Sequence, residues 1–210
     1  MGSIRKVGML MKNDKNKKMV ITGVTHTEEN YNRFDIFTRQ LIEQVESIGI
    51  CIDKSEILKF CEYLLSSEKI VVVGSGRSGL VGKSFSMRLV HLGLYSYLDT
   101  SHNCPAITNR DTILAISGSG ETHSVIHTVQ KAKDVGARIL SITNTYDCAL
   151  NDLSDHPFIL PKSVNNELYF PLGTLFELSA YIFLDGLFTE LKAIVKCCEK
   201  NLRDRHNNLE

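Results

Sequence analysis

The chain has 210 residues, of which 43% are hydrophobic, and its 24 basic residues balance 24 acidic ones. A chain of this length can bury one sizeable core, so we expect a single globular domain with short additions. With no net charge, nothing in the composition favours nucleic acid or an anionic membrane as a partner. No apolar stretch looks long enough to span a membrane, no signal peptide is evident, and six cysteines without a Cys-x-x-Cys spacing indicate reduced thiols. We therefore expect a cytoplasmic protein.

The first 30 residues are rich in lysine and show no clear periodicity, so we expect residues 1–30 to form a flexible arm. From residue 31 onwards, apolar residues recur every three or four positions and predict a helix that ends at Gly49. A second helix is expected to begin after Asp53, because aspartate is a favoured N-cap residue.

Apolar strand-like runs then alternate with helical patterns. Strands are expected at residues 69–73, 95–98, 112–116, 138–143 and 156–160, with helices at 78–92 and 121–135 and a short one within 144–153. This alternation predicts a three-layer α/β/α sandwich with a five-stranded parallel sheet. A long C-terminal helix is expected from Leu172 to about Cys198, with a kink at Gly186. Its apolar face is broad, which predicts packing between subunits.

Two of the predicted strands end in turns that are rich in glycine and hydroxyl groups. Residues 74–79 are Gly-Ser-Gly-Arg-Ser-Gly, and residues 116–122 are Ile-Ser-Gly-Ser-Gly-Glu-Thr. Glycine lets the backbone approach a ligand closely, and the helix that follows each turn offers free N–H groups to an anion. Because parallel strands end at the same edge of a sheet, the two turns predict one crevice that binds a phosphate monoester.

The first turn also fits a dinucleotide site. Gly74, Gly76 and Gly79 match G-x-G-x-x-G, and Asp99 follows 20 residues after Gly79, where a dinucleotide-binding fold places its ribose-binding acid. Against a nicotinamide enzyme, side chains that seek phosphate fill this turn, whereas dinucleotide turns usually bind through the bare backbone. The second hydroxyl-rich turn has no explanation in such a fold.

Taken together, the two turns resemble those of the sugar isomerase (SIS) domain family. Three further segments are similar to parts of the family's 6-phospho-3-hexuloisomerases: residues 85–93, residues 170–177 (Phe-Pro-Leu-Gly-Thr-Leu-Phe-Glu) and residues 205–210 (Arg-His-Asn-Asn-Leu-Glu). The resemblance covers about residues 31–210, which we therefore expect to form one SIS domain with a flavodoxin-like sheet.

The resemblance implies interconversion of D-arabino-3-hexulose 6-phosphate and D-fructose 6-phosphate through a cis-enediol, with no metal and no cofactor. It also implies a homo-oligomer, a tetramer or a dimer, with sites at subunit boundaries. Glu177 would be the base, and His206 would act on the hydroxyls or on ring opening, in its own site or in a neighbouring subunit's. The residues implied to bind substrate are Ser75, Gly76, Arg77, Ser78, Ser117, Gly118, Ser119, Thr122, Gly173 and Thr174.

One segment departs from the family's pattern. Residues 100–104 are Thr-Ser-His-Asn-Cys, where related chains usually carry an acidic residue and several threonines, so His102 and Asn103 occupy positions that can face the substrate. An isomerase acting on another phosphosugar therefore remains an alternative. A non-catalytic sensor that binds a phosphosugar is a second alternative, against which the presence of Glu177 argues.

Overall fold

The structure is a computed structural model that describes residues 28–100, 102–162 and 167–209. The predicted flexible arm lies outside the described residues, except for its last three positions, which open the first helix. The elements in chain order are α1 (Glu28–Cys51), α2 (Lys54–Leu65), β1 (Ile70–Gly74), α3 (Gly76–Leu92), β2 (Ser96–Leu98), β3 (Thr112–Ile116), α4 (His123–Asp134), β4 (Arg138–Thr143), α5 (Ala149–Leu153), β5 (His156–Ile159), α6 (Thr174–Ile194) and α7 (Glu199–Asp204).

The five strands form one parallel sheet in the order β2-β1-β3-β4-β5. This confirms the predicted fold class. The chain winds outwards from β1 in one direction and from β3 in the other, so the strand order reverses between these two strands. In open α/β sheets, ligands bind at such a reversal, beyond the carboxyl ends of the strands. Gly74 pairs with Ile116, so the two hydroxyl-rich turns leave the sheet side by side.

Helices cover both faces of the sheet, because successive side chains of a strand point to opposite faces. Helices α2, α3 and α6 pack on one face, and α4 and α5 pack on the other. The strand residues that point to the first face include Ile70, Val72, Leu114 and Ile116, and those that point to the second include Val71, Val73, Ile113 and Ala115. Burial on both sides explains why these strands are continuous apolar runs rather than alternating ones.

Helix α6 is the most apolar of the long helices in the described part of the chain. By length and composition alone, Pro171–Ile194 would be able to cross a membrane, with a mean hydropathy of 1.2, which corrects the expectation that no stretch is long enough. Half of this apolar stretch is buried inside the protein, where α6 contacts α1, α2 and α3. A core helix of a soluble protein passes the same test, so its apolarity is weak evidence for a membrane span. The helix continues through Gly186 without a break.

Two other helix ends differ from the sequence prediction. Helix α1 runs past Gly49 to Cys51, since one glycine costs a helix only about 1 kcal/mol and does not by itself end it. At the other end of the domain, α6 stops at Ile194. Lys196 adopts a positive φ of 51°, which breaks the helix, and the polar segment that follows forms the separate helix α7 (Glu199–Asp204).

Candidate active site

A cavity of about 400 Å³ opens at the carboxyl ends of β1 and β3, where the strand order reverses. Three segments that are distant in sequence meet there: the turn after β1, the turn after β3 and the start of α6. The residues that line the cavity are Ser75, Ser78, Ile116, Ser117, Gly118, Ser119, Thr122, Asn144, Leu172, Gly173, Phe176 and Glu177. The cavity thus brings both predicted turns together with the predicted base.

The first turn leads directly into α3, which begins at Gly76, two residues earlier than expected. Ser75 is the N-cap residue, but its side chain makes no capping hydrogen bond, so the helix does not use this hydroxyl. A Cβ atom on Gly79 would lie 2.7 Å from the carbonyl oxygen of Gly74. Only glycine therefore lets the turn close this tightly and point the first N–H groups of α3 out of the sheet edge.

The second turn is held together by its own hydroxyl groups. Ser117 is buried, and its Oγ lies 3.1 Å from Oγ1 of Thr122, the N-cap residue of α4. Ser119 Oγ accepts a hydrogen bond of 3.2 Å from the backbone N–H of Glu121. A Cβ atom on Gly118 would lie 2.9 Å from the ring of Phe176. Gly118 therefore allows α6 to pack directly against this turn.

The first turn of α6 carries Glu177. Gly173 is the N-cap residue, and its φ of 85° favours glycine. Thr174 donates a hydrogen bond of 2.6 Å from its Oγ1 to the carbonyl oxygen of Pro171, which fixes the preceding turn. Thr174 itself is not among the residues that line the cavity. Glu177 is only 8% exposed, and it stands in the first turn of α6, where an acidic side chain interacts favourably with the helix dipole.

Arg77 lies against Glu177, which lines the cavity, although Arg77 is not itself among the lining residues. Its Nε donates a hydrogen bond to Oε2 of Glu177, in an ion pair between α3 and α6. The Arg77 side chain is 59% exposed, whereas that of Glu177 is 10% exposed. The resemblance implied that Arg77 binds the substrate, and in this structure its hydrogen-bond partner is the predicted base.

His206 lies elsewhere. It lines a separate cavity of about 580 Å³ between α3, α6 and α7, where its ring stacks on that of His91 with 5.0 Å between the centroids. Burial lowers the pKa of His91, and the nearby His206 and Arg88 lower it further. Within one chain, His206 and Glu177 therefore do not share a site, and a role for His206 in a neighbouring subunit stays a prediction.

Four lining residues were not among the predicted site residues: Ile116, Asn144, Leu172 and Phe176. Ile116 and Phe176 belong to segments that the sequence analysis had singled out, whereas the cavity positions of Asn144 and Leu172 were not foreseen. Asn144 directly follows β4, and its backbone N–H donates a hydrogen bond of 3.2 Å to the carbonyl oxygen of Gly118. A polar residue at the carboxyl end of a strand beside β3 was the signal that would have found it. Leu172 is 97% exposed with a positive φ of 55°, and it also lines an adjoining cavity of about 410 Å³.

The acid behind the dinucleotide alternative does not line the cavity formed by the two turns. Asp99 follows the edge strand β2 and is not among the lining residues of the cavity. Burial raises its pKa, which outweighs the lowering effect of backbone hydrogen bonds. His102, in the segment that departs from the family's pattern, is exposed and also stands outside the lining set.

Comparison with known proteins identifies the family. The sequence profile of the SIS domain matches residues 63–181, which is more than half of the chain. The chain belongs to the SIS domain family, as the two turns indicated.

Individual relatives lie within the same family. The chain is 37% identical over 180 residues to an uncharacterized protein of Archaeoglobus fulgidus, covering 83% of this chain and 98% of the relative. It is 35% identical over 156 residues to the 3-hexulose-6-phosphate isomerase of Methanocaldococcus jannaschii, covering 74% and 85%. A crystal structure of a hypothetical protein from Methanococcus jannaschii, described as inferring that same function, superimposes with a TM-score of 0.75 at 30% identity, covering 85% of this chain and 99% of that one.

Proposed function

We propose that the protein is a 6-phospho-3-hexuloisomerase that interconverts D-arabino-3-hexulose 6-phosphate and D-fructose 6-phosphate. One observation carries the proposal: the buried carboxylate of Glu177 lines the same cavity as both hydroxyl-rich turns. A phosphate site beside a single carboxylate is what an isomerase needs if it moves a carbonyl along a phosphosugar chain. The relatives named as 3-hexulose-6-phosphate isomerases, which align along most of their length, support this choice of substrate.

The two turns would bind the phosphate. Ser75, Ser78, Ser117 and Ser119 present hydroxyl groups to the cavity, and the N-termini of α3 and α4 begin at the same two turns. Backbone N–H groups at a helix N-terminus and hydroxyl donors together suit a phosphate dianion. Anchoring the phosphate fixes the sugar chain relative to α6, which converts a diffusive encounter into an oriented one.

Glu177 would carry the proton. Its carboxylate takes the proton from C2 of the 3-ketose while the oxygen on C3 is protonated, which gives a cis-enediol. The same group then returns the proton to C3, and the hydroxyl on C2 loses its proton as the new carbonyl forms. No proton is gained or lost overall, so one carboxylate on one face of the enediol performs both carbon transfers.

The organisation of the whole protein is part of the same proposal. We infer that residues 31–210 act as one domain, that the protein works in the cytoplasm and that it is a homo-oligomer. Apolar side chains are exposed on α3 and on α6, two helices that pack against each other, and exposed apolar surface on neighbouring helices supports contact with another subunit. These side chains include Leu80, Met87, Val90, Tyr181 and Ile182.

The test of this function is a coupled assay on the wild type and on Glu177→Gln. The 3-hexulose 6-phosphate is generated from ribulose 5-phosphate and formaldehyde by its synthase, and the formation of fructose 6-phosphate is followed. We expect turnover by the wild type and a loss of at least about 10³-fold in kcat for Glu177→Gln, because the amide cannot accept the proton. The matched control is Glu190→Gln, an exposed glutamate of the same helix.

The outcomes separate the candidate functions. Glu190→Gln should keep the wild-type rate, and a similar loss in both variants would mean that the charge of α6, not the base, matters. If the wild type binds phosphosugars without turning over the 3-hexulose 6-phosphate, the proposed reaction is wrong. The phosphosugar sensor or another phosphosugar substrate then takes its place.

A further inference from the structure

We infer that Arg77, in the first turn (residues 74–79), is a positioning residue for the base. Its guanidinium holds the Glu177 carboxylate through Nε and offers its Nη groups to the substrate's phosphate. The inference rests on the proposed function, because Glu177 must be the base. Arg77 would thus have a role beyond phosphate binding. A bound phosphate would also restrict the motion of the Glu177 carboxylate, because both would be held by the same guanidinium.

The Glu177 side of the pair supports this role. The carboxylate is almost completely buried, and a buried charge without a partner is very costly. Among the described residues, the hydrogen bond that it accepts comes from Arg77 and is made to Oε2. That bond fixes the rotation of the carboxyl group and leaves Oε1 as the oxygen that takes the substrate's proton.

The Arg77 side explains why an arginine is used. The residue stands in the chain between Ser75 and Ser78, which both line the cavity, so its backbone belongs to the phosphate turn. A guanidinium carries five N–H donors in a rigid fork. With Nε committed to Glu177, the four N–H groups on the two Nη atoms remain on a side chain that is 59% exposed. A lysine ammonium, a compact point charge, cannot hold both groups in a fixed orientation.

Kinetics of Arg77→Lys and Arg77→Gln distinguish positioning from simple phosphate binding. We expect kcat to fall about 10²-fold in both variants, which is the usual scale for losing an oriented catalytic group. In Arg77→Lys, KM and the inhibition constant of inorganic phosphate should stay within about threefold of wild type, since the positive charge remains. The control, Arg39→Gln, removes an arginine that is 81% exposed on α1 and should change nothing.

A double variant tests whether Arg77 acts through Glu177. In the Glu177→Gln background, adding Arg77→Lys should not lower the residual rate further, because the group that Arg77 positions is already gone. An additive loss would overturn the inference. So would single variants in which kcat is retained while KM and the phosphate inhibition constant rise about tenfold or more, which is the result for a phosphate ligand only.

A measurement without turnover separates this inference from the proposed function. The Nε–H resonance of Arg77 is observed by ¹⁵N nuclear magnetic resonance in the wild type, in Arg39→Gln and in Glu177→Gln. We expect it to shift in Glu177→Gln and, in the wild type, to respond to added inorganic phosphate. If the Nε–H chemical shift of Arg77 is the same in Glu177→Gln as in the wild type, the pairing is overturned, even in an active enzyme. An intact pairing in a protein that does not turn over would overturn the function alone.

Discussion

At the scale of single residues, two buried carboxylates at opposite edges of the sheet are each paired with a basic side chain. Glu177 is paired with Arg77 at the carboxyl edge. Asp111 precedes β3 at the amino edge and accepts bonds from Lys69 Nζ at 2.9 Å and from the backbone N–H of Thr108 at 2.7 Å. Glu177 lines a cavity, whereas Asp111 is buried at the amino edge of the sheet. Of these two carboxylates, Glu177 is therefore the one placed to contact a ligand.

Asp111→Asn should make stability less dependent on pH. Burial raises the pKa of Asp111, but its bonds from Lys69 and Thr108 together outweigh burial, so the pKa is lowered from 3.8. A lowered pKa means that the ionised form contributes stability above about pH 3.8, and that this contribution is lost as the pH falls through the folded-state pKa. We expect the variant to lose about 2 kcal/mol of unfolding free energy at pH 7.

Denaturant unfolding across pH 7 to 3 measures this effect. The gap between wild type and Asp111→Asn should narrow as the solution becomes more acidic. Asp147→Asn, at an exposed turn, should match the wild type at every pH. A gap that stays constant down to pH 3 would show that Asp111 acts through packing and not through its charge.

At the scale of elements, α3 packs against five others, namely β1, β2, β3, α6 and α7. Its N-terminus supplies the first turn, its flank packs on α6, and its C-terminus meets the segment after α7. There Arg205 Nη1 donates hydrogen bonds to the carbonyl oxygens of His91 at 3.3 Å and Leu92 at 3.1 Å. A cation at the C-terminus of a helix satisfies free carbonyl groups and favours the helix dipole.

Arg205→Ala should therefore loosen α7 without disturbing the sheet. We expect a loss of about 1 kcal/mol in unfolding free energy, the upper range for a surface cation at a helix end. Amide hydrogen exchange should accelerate in α7 and leave the strands unchanged, because local opening releases only the contacts of that segment. Arg203→Ala removes a charge from α7 that pairs with Glu199 at the surface, and equal effects in both variants would contradict a role for the carbonyl contacts.

The sequence predicted elements well where local chemistry decides them. Val71 to Val73 form a strand because they are β-branched and buried on both faces, and Asp53 caps α2 by accepting a hydrogen bond from Ser55 N–H at 2.8 Å. Helix ends such as those of α1 and α6 were less predictable, because they depend on which neighbours the helix meets. The contact of Arg77 with Glu177 joins residues 100 positions apart, and no local pattern encodes it.

In the candidate site, too, some residues could be predicted from the sequence and others could not. Both turns and Glu177 were expected together, because parallel strands deliver their following turns to one edge and the resemblance supplied the third segment. Asn144 was missed although its position after β4 follows from the same rule. The place of His206 depends on how α7 folds back onto α3, and a polar tail gives no sign of that.

At the scale of the whole molecule, the cavity is built on the central strands of the sheet. Its two turns leave adjacent central strands, and the ring of Phe176 fills the space beside Gly118. A site on such a scaffold needs little rearrangement to accept a ligand. Binding energy should therefore appear as added stability of the folded state rather than as ordering of loops.

Thermal unfolding at increasing ligand concentration tests whether binding energy appears as added stability. At a fructose 6-phosphate concentration of 100 times its dissociation constant, we expect about 2.7 kcal/mol of added stability and a corresponding rise in Tm. Ser78→Ala removes a hydroxyl that lines the cavity and should reduce the rise at the same ligand concentration. Ser84→Ala removes a hydroxyl of the same helix that donates to Tyr181 instead, and it should leave the rise unchanged.

The apolar character of α6 has a consequence for how the protein is made. The helix supplies one wall of the larger core cluster, yet all five strands precede it along the chain. During synthesis, the part of the sheet face that α6 covers therefore stays exposed until the residues after β5 have been translated. Exposed apolar surface of this kind is what chaperones bind and what drives aggregation. We expect premature stop codons between β5 and α6 to yield insoluble chains.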